Sequence, residues 1–141
     1  MVLLLNFAHP LTDAQLAEVS ALLGARPDVR MIPTHVDRTQ PVAVAARALA
    51  DAAGLPPDEW QTRPLVINPP GLAPLALALL ADIHGRCGYF PPAIHIRPVA
   101  GALPPRYEVA EIVDLQQLRD SARGRRYPAA PAGGEAGAAG P

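Results

Sequence analysis

The sequence predicts a Rossmann-like α/β domain with a mainly parallel sheet and helices on both of its faces. Two short segments, residues 2–7 and 64–68, are almost entirely apolar, as expected of strands buried on both sides of a parallel sheet. Longer segments with helical spacing of apolar residues follow them, bounded by proline or glycine. Such alternation of strand and helix is typical of a parallel α/β sheet.

The first helix begins at Thr12, where Gln15 stands at the capping-box position, and Gly24 ends it. Its helical spacing predicts an inward stripe of Leu16, Val19, Leu22 and Leu23. The second strand covers residues 29–36. Pro33 lies inside this segment and cannot donate to a ladder, so we expect the strand at a sheet edge.

The second helix begins at Pro41 and ends at Gly54. Its inward residues are predicted to be Ala45, Ala48, Leu49 and Ala52. Residues 55–62 read as a connection with a single helical turn around Trp60, which serves as a core or dimer anchor. A third helix runs from residue 72 to about residue 84 and is apolar nearly all round.

Two further strands, residues 93–99 and 107–113, end the sheet. The connection between them is too short for a parallel crossover, so we expect them to pair antiparallel. Asp114 then caps a last helix, and this helix should turn Leu115, Leu118 and Ala122 inward. The domain therefore covers residues 1–127. Of the 14 residues from 128 to 141, 13 are alanine, glycine or proline, which predicts a disordered tail.

The charge pattern excludes several classes of partner. All twelve basic residues are arginine, and residues 1–127 balance them with twelve acidic residues. A chain that grips duplex nucleic acid needs a basic stripe, which this sequence lacks. No apolar run is long enough to span a membrane, and the single cysteine, Cys87, has no partner for an internal disulfide. We expect a cytoplasmic protein without a metal site or a cofactor.

A ligand site is predicted where the first and third strands end. Right-handed crossovers and a second strand at the edge make these two strands neighbours, with their helices on opposite faces. Open α/β sheets bind ligands at such a switch point. The segments that meet there are 6–12 and 68–72, and each leads to a helix N-terminus, which favours an anion. Neither segment contains a G-x-G-x-x-G or P-loop pattern, so dinucleotide cofactors and NTP hydrolysis are disfavoured.

Three segments resemble a family of small CRISPR-associated accessory proteins of type III systems, which is similar to CRISPR-associated Rossmann-fold (CARF) domains. They are Leu3-Leu-Leu-Asn-Phe-Ala-His-Pro-Leu-Thr12, Glu59-Trp-Gln-Thr-Arg-Pro-Leu-Val-Ile-Asn-Pro-Pro-Gly71 and His84-Gly-Arg86. The resemblance covers roughly residues 1–125. It implies a cyclic oligoadenylate ligand, above all cyclic tetra-adenylate, ring nuclease activity as an alternative, and a homodimer, with a higher assembly left open. A four-fold symmetric ring also has two-fold symmetry, so each subunit of a two-fold dimer would hold half of it.

The switch point and the resemblance together define the candidate ligand-binding residues. These are Asn6, Phe7, Ala8, His9, Thr12, Asn68, Pro69, Pro70, Gly71, Leu72 and Arg86. Several have competing structural roles: asparagine caps turns, Thr12 caps a helix, and Gly71 suits the residue before a helix. His9 is the candidate catalytic residue, because no other side chain of the two loops can exchange a proton near neutral pH.

Three functions remain open at this point. The first is that the protein binds cyclic oligoadenylate and lowers its free concentration. The second is that it cleaves the ring without a metal ion, and the third is that it is an interaction module without a nucleotide ligand. The loops contain amides, prolines and backbone N–H groups but no lysine, serine or carboxylate pair. This composition favours binding over cleavage.

Overall fold

The computed structural model describes residues 1–127, and the predicted disordered tail at 128–141 lies outside the described residues. The elements are β1 (Leu3–Asn6), α1 (Asp13–Leu23), β2 (Asp28–Met31), α2 (Val42–Ala52), α3 (Pro57–Thr62), β3 (Leu65–Asn68), α4 (Ala73–Cys87), β4 (Ala93–Pro98), β5 (Tyr107–Val113) and α5 (Leu115–Gly124).

The strands form one five-stranded sheet in the order β2-β1-β3-β4-β5. The first four strands are parallel, and β5 runs antiparallel to β4. The predicted Rossmann-like α/β class, the edge position of β2 and the antiparallel last pair are confirmed. The strand β2 ends before Pro33, so the proline lies in the following loop and interrupts no ladder.

The helices lie on both faces of the sheet, as predicted. Leu4 and Val66 face α1 and pack with its Val19, whereas Leu5 and Ile67 face the other side. There they form the larger core cluster with residues of α2, α3 and α4. Burial of strand residues on both faces explains why β1 and β3 contain almost no polar residue before their last position.

Three predicted helix faces are wrong in part. The buried side of α2 consists of Ala46, Leu49 and Ala50, followed by the buried C-cap residue Ala53, while Ala48 and Ala52 are exposed. Six alanines in the 11 residues of α2 leave the apolar stripe undefined, so packing against α4 decides the face. In α1 only Val19 is buried; Leu23 packs half-buried against the same core cluster, whereas Leu22 is exposed and outside it.

The last helix, α5, departs further from its predicted face. Asp114 Oδ1 accepts a hydrogen bond from the backbone N–H of Gln117 at 2.9 Å, so the predicted cap is present. No residue of α5 is buried, however, and Leu118 is exposed. The helix follows the edge strand β5, and of its three predicted inward residues Leu115 is half-buried while Leu118 and Ala122 are exposed.

Candidate functional site

A cleft of about 860 Å³ opens at the carboxyl ends of β1 and β3. It therefore lies at the switch point from which α1 and α4 leave toward opposite faces of the sheet. Its lining consists of Phe7, Ala8, His9, Pro10, Thr34, Val36, Asn68, Pro69, Pro70, Gly71, Leu72, Leu75, Ile94, His95, Ile96 and Val113. The two predicted loops thus come together in one concave site.

The strand β4 forms one wall of the cleft. Ala93 is level with Ile67 of β3, so the residues after Ile94 continue past the point where β3 ends. The β4–β5 ladder shifts register between His95 and Ile96. The extra residue at this bulge, Ala110, belongs to β5, and three consecutive residues of β4, Ile94, His95 and Ile96, line the cleft.

The buried Asn6 side chain stabilises the loop that follows β1 through hydrogen bonds to the backbone of that loop. It is fully buried, and its Oδ1 atom accepts the backbone N–H of Ala8 at 2.9 Å. Its Nδ2 atom donates to the His9 carbonyl at 3.0 Å. This is the local capping role that asparagine often has in turns, and it shapes the loop whose next four residues line the cleft.

Asn68 links the second loop to the first. It is level with Asn6 in the parallel ladder, and its Nδ2 atom donates to Asn6 Oδ1 at 3.0 Å. Unlike Asn6, Asn68 lines the cleft itself while remaining only 4% exposed. A Cβ added at the nearby Gly71 would meet no atom within 4 Å, so this part of the loop borders open space.

Two histidines stand at the cleft. His9 is exposed, and the described residues offer its imidazole no hydrogen bond. His95 Nδ1 lies 2.9 Å from Glu111 Oε2 on the neighbouring strand, and both side chains are about half exposed. The two side chains form a close pair at the rim, and Glu111 itself does not line the cleft.

Sequence reasoning missed one side of the site. The loop after β2 contributes Thr34, whose hydroxyl donates to the Phe7 carbonyl at 2.9 Å, and Val36. The β4–β5 pair contributes four more residues: Ile94, His95, Ile96 and Val113. No local motif marks these positions, because they reach the cleft only through the register of β4 beside β3 and the path of the β2 loop.

The two helix N-termini differ in what they offer an anion. At α1 the Thr12 hydroxyl accepts the Gln15 N–H, and the Gln15 side chain accepts the Thr12 N–H, so the predicted capping box is present and occupies these groups. At α4 the N-cap is Leu72, which has no side-chain cap. First-turn N–H groups have no partner inside their helix. At α4 Pro74 has no N–H, so Ala73 and Leu75 provide the free N–H groups beside the cleft, whereas α1 begins at a separate groove.

The structure does not bring Thr12 or Arg86 to the cleft. Thr12 borders a separate groove between α1 and the start of β5. Arg86 lies 13 residues after Ala73, about 20 Å along α4 from its first turn. Its guanidinium contacts Asp82 at 2.6 Å and Asp51 at 2.9 Å, and it lies 5.7 Å from the Trp60 ring centroid.

These contacts give Arg86 a structural role. Asp51 belongs to α2 and Trp60 to α3, so Arg86 joins both helices to α4. Burial is the largest single effect on the pKa of Arg86 and lowers it, but the hydrogen bonds and charges of Asp82 and Asp51 together outweigh burial and raise the pKa. Trp60 itself is only 2% exposed, which confirms it as a core residue.

The lining of the cleft is apolar except for four side chains, those of His9, Thr34, Asn68 and His95. Within residues 1–127 no arginine and no carboxylate lines it. Nor do the described residues contain a group of three His, Cys, Asp or Glu side chains that could hold a metal ion. The site is therefore suited to a largely flat, neutral surface with a few hydrogen-bonding groups.

The described helices are all too short or too polar to cross a membrane. Comparison of the chain with models of protein families, with curated proteins and with solved structures found no match. The class that the structure itself defines is an α/β protein with a Rossmann-like, mainly parallel sheet.

Proposed function

We propose that the protein binds cyclic oligoadenylate, with cyclic tetra-adenylate as the expected ring, and lowers its free concentration, which damps type III CRISPR signalling. The observation that carries the proposal is the cleft at the ends of β1 and β3, into which the two loops of the resemblance converge. Eight of the eleven residues predicted from the sequence line this cleft, and Asn6 supports it from below.

The chemistry of the lining supports a nucleotide with exposed bases. Adenine is a flat aromatic ring with a few hydrogen-bonding atoms, and the proline, leucine and isoleucine side chains of the cleft offer it apolar surface. The free N–H groups at the α4 N-terminus supply neutral donors for a phosphate. Binding of this kind requires no proton transfer, so neither of the two histidines that line the cleft has to act as an acid or a base.

The cleft of one subunit is open and no arginine of the described residues lines it, so we expect one subunit to contact only part of the ring. We propose a two-fold homodimer in which each subunit contacts half of the ring and the second subunit adds donors for the phosphates. Light scattering should report a dimer in the presence of the ring. A monomer both with and without it would contradict this arrangement.

The decisive experiment incubates the purified protein with labelled cyclic oligoadenylates of several ring sizes and follows both retention and breakdown. Sequestration predicts that one ring is retained and recovered uncut after long incubation with protein in excess. If no ring is retained at any size, the proposal fails and the interaction module gains support.

A metal-independent ring nuclease is the second candidate, and the exposed His9 side chain is the observation that favours it. In such a reaction a ribose 2′-hydroxyl attacks the adjacent phosphorus atom, its proton passes to a base, and the 5′-oxygen leaves with a proton from an acid. The products are a linear strand with a 2′,3′-cyclic phosphate and a free 5′-hydroxyl. Their appearance in a single-turnover incubation would establish this candidate.

A further inference from the structure

The orientation of the Asn6 carboxamide is determined by two backbone groups of opposite polarity. Its Oδ1 atom faces an N–H group, that of Ala8, and its Nδ2 atom faces a carbonyl, that of His9. The two ends of a carboxamide have nearly the same shape, so hydrogen bonding alone decides which end lies where. Rotation by half a turn would set donor against donor and acceptor against acceptor.

This orientation determines that of Asn68. Since Asn6 turns its oxygen toward Asn68, the neighbouring side chain must present its Nδ2 atom, which lies 3.0 Å away. The opposite orientation would bring two carbonyl oxygens together. The Asn68 Oδ1 atom is therefore directed away from Asn6, and the chemistry of both amides follows from the polarity of one tight loop.

The Asn68 Oδ1 atom is a hydrogen-bond acceptor that has no partner among the described residues. This oxygen atom remains accessible from the cleft. Within residues 1–127 no donor forms a hydrogen bond with it. The one fully enclosed side-chain nitrogen or oxygen without a partner in that part of the chain is Trp60 Nε1, so Asn68 Oδ1 is not sealed inside the core. Asn68 is nevertheless 96% buried, and it lines the cleft.

We propose that Asn68 is the residue that selects the base: its Oδ1 atom accepts a hydrogen bond from the exocyclic amine of adenine. This inference rests on the proposed function. A phosphate oxygen would be repelled by the Oδ1 lone pairs, and so would the O6 carbonyl of guanine or hypoxanthine. One Nδ2 hydrogen is also left over, and a carboxamide with one free oxygen and one free N–H matches the amine and the N7 atom of adenine, an edge on which guanine and hypoxanthine present two acceptors.

Wild-type protein provides the first test, with three labelled four-membered rings. These are cyclic tetra-adenylate, cyclic tetra-inosinate, which has a carbonyl in place of the amine, and the ring of unsubstituted purine, which lacks the group. We expect the adenylate ring to bind at least roughly 10-fold more tightly than the inosinate ring, with the purine ring between them. Binding of the adenylate and inosinate rings within threefold of each other would overturn the inference.

Variants provide the second test. Asn68→Leu keeps a side chain of similar size and should lose the preference for adenylate over inosinate. Gln61→Leu makes the same change from amide to leucine on the exposed α3 helix and should retain it. A folded Asn68→Leu protein with the wild-type preference would contradict the role of Asn68. Should Asn68→Leu fail to fold, the three-ring comparison in the wild type still decides the matter.

The two proposals fail in different ways. If wild-type protein retains no adenylate ring, the proposed function itself falls. If it retains rings without regard to the base, the function stands and only the role of Asn68 falls.

Discussion

Asn6 and Asn68 are level with each other on adjacent parallel strands, and their side chains are joined by a hydrogen bond of 3.0 Å between Asn68 Nδ2 and Asn6 Oδ1. Each asparagine is the last residue of its strand. The bond therefore ties together the starts of the two loops that line the cleft. A site joined in this way before the ligand arrives loses less conformational entropy on binding.

The two asparagines should differ in their contribution to stability. Asn6→Ala removes three hydrogen bonds and leaves the Ala8 N–H and the His9 carbonyl without this partner, which should lower the free energy of unfolding by about 2–3 kcal/mol. Asn68→Ala removes one hydrogen bond and should cost about 1 kcal/mol. Urea unfolding of the two variants beside wild type measures the difference. Equal losses would show that the loop does not depend on Asn6.

His9 separates the binder from the nuclease. If the protein only sequesters its ligand, His9→Ala should weaken affinity by about 1–2 kcal/mol, the usual effect of a lost polar contact. If it cleaves the ring, the same change should slow single-turnover cleavage by roughly 10²–10⁴-fold while binding largely survives.

His35→Ala is the matched control for this experiment. His35 is also an exposed loop histidine, but it does not line the cleft, so its removal should change neither quantity. Wild-type cleavage that collapses in His9→Ala at near-normal affinity would refute sequestration.

The two side-chain helix caps should contribute unequally to stability. Thr12→Ala removes the capping box of α1, which packs its buried Val19 against the sheet, and should lower the free energy of unfolding by about 1 kcal/mol. Asp114→Ala removes the cap of α5, which has no buried residue, and should fray that helix with little effect on the global transition. Global unfolding in urea and amide hydrogen exchange distinguish the two effects. Because neither Thr12 nor Asp114 lines the cleft, ring affinity should stay unchanged in both.

The single thiol should be inert in the native protein. Burial raises the pKa of Cys87 to about 11, so only about 0.1% of it is thiolate at pH 8. A chromogenic disulfide reagent at pH 8 should therefore label the native protein at least roughly 100-fold more slowly than protein unfolded in urea. Fast stoichiometric labelling without urea would show that the end of α4 opens readily.

The same shift makes stability depend on alkaline pH. The thiol has its ordinary pKa of about 9 when unfolded and about 11 when folded, so the folded state holds the proton more tightly. The contribution is complete below pH 9 and is lost as the pH rises toward 11. Cys87→Ala should show a smaller fall in the free energy of unfolding over this range.

The sequence by itself determined the class of fold, the position of β2 at the edge, and the two loops that form most of the cleft. These follow from short-range signals: apolar strands, proline and glycine breaks, and caps such as Thr12 act through neighbours in the chain. The same locality explains the errors. The alanine-rich α2 contains no stripe to determine its face, and only its packing on α4 decides that Ala46 and Ala50 are buried.

Only the tertiary structure decided how the site is assembled. Residues separated by 62 positions form the Asn6–Asn68 bond, and the register of β4 beside β3 brings His95 and Ile96 to the cleft. The same structure leaves Arg86 about 20 Å from the first turn of α4, bound to Asp51 and Asp82. Such relationships depend on how distant segments dock against one another, because a hydrogen bond or an ion pair requires a distance that no local pattern encodes.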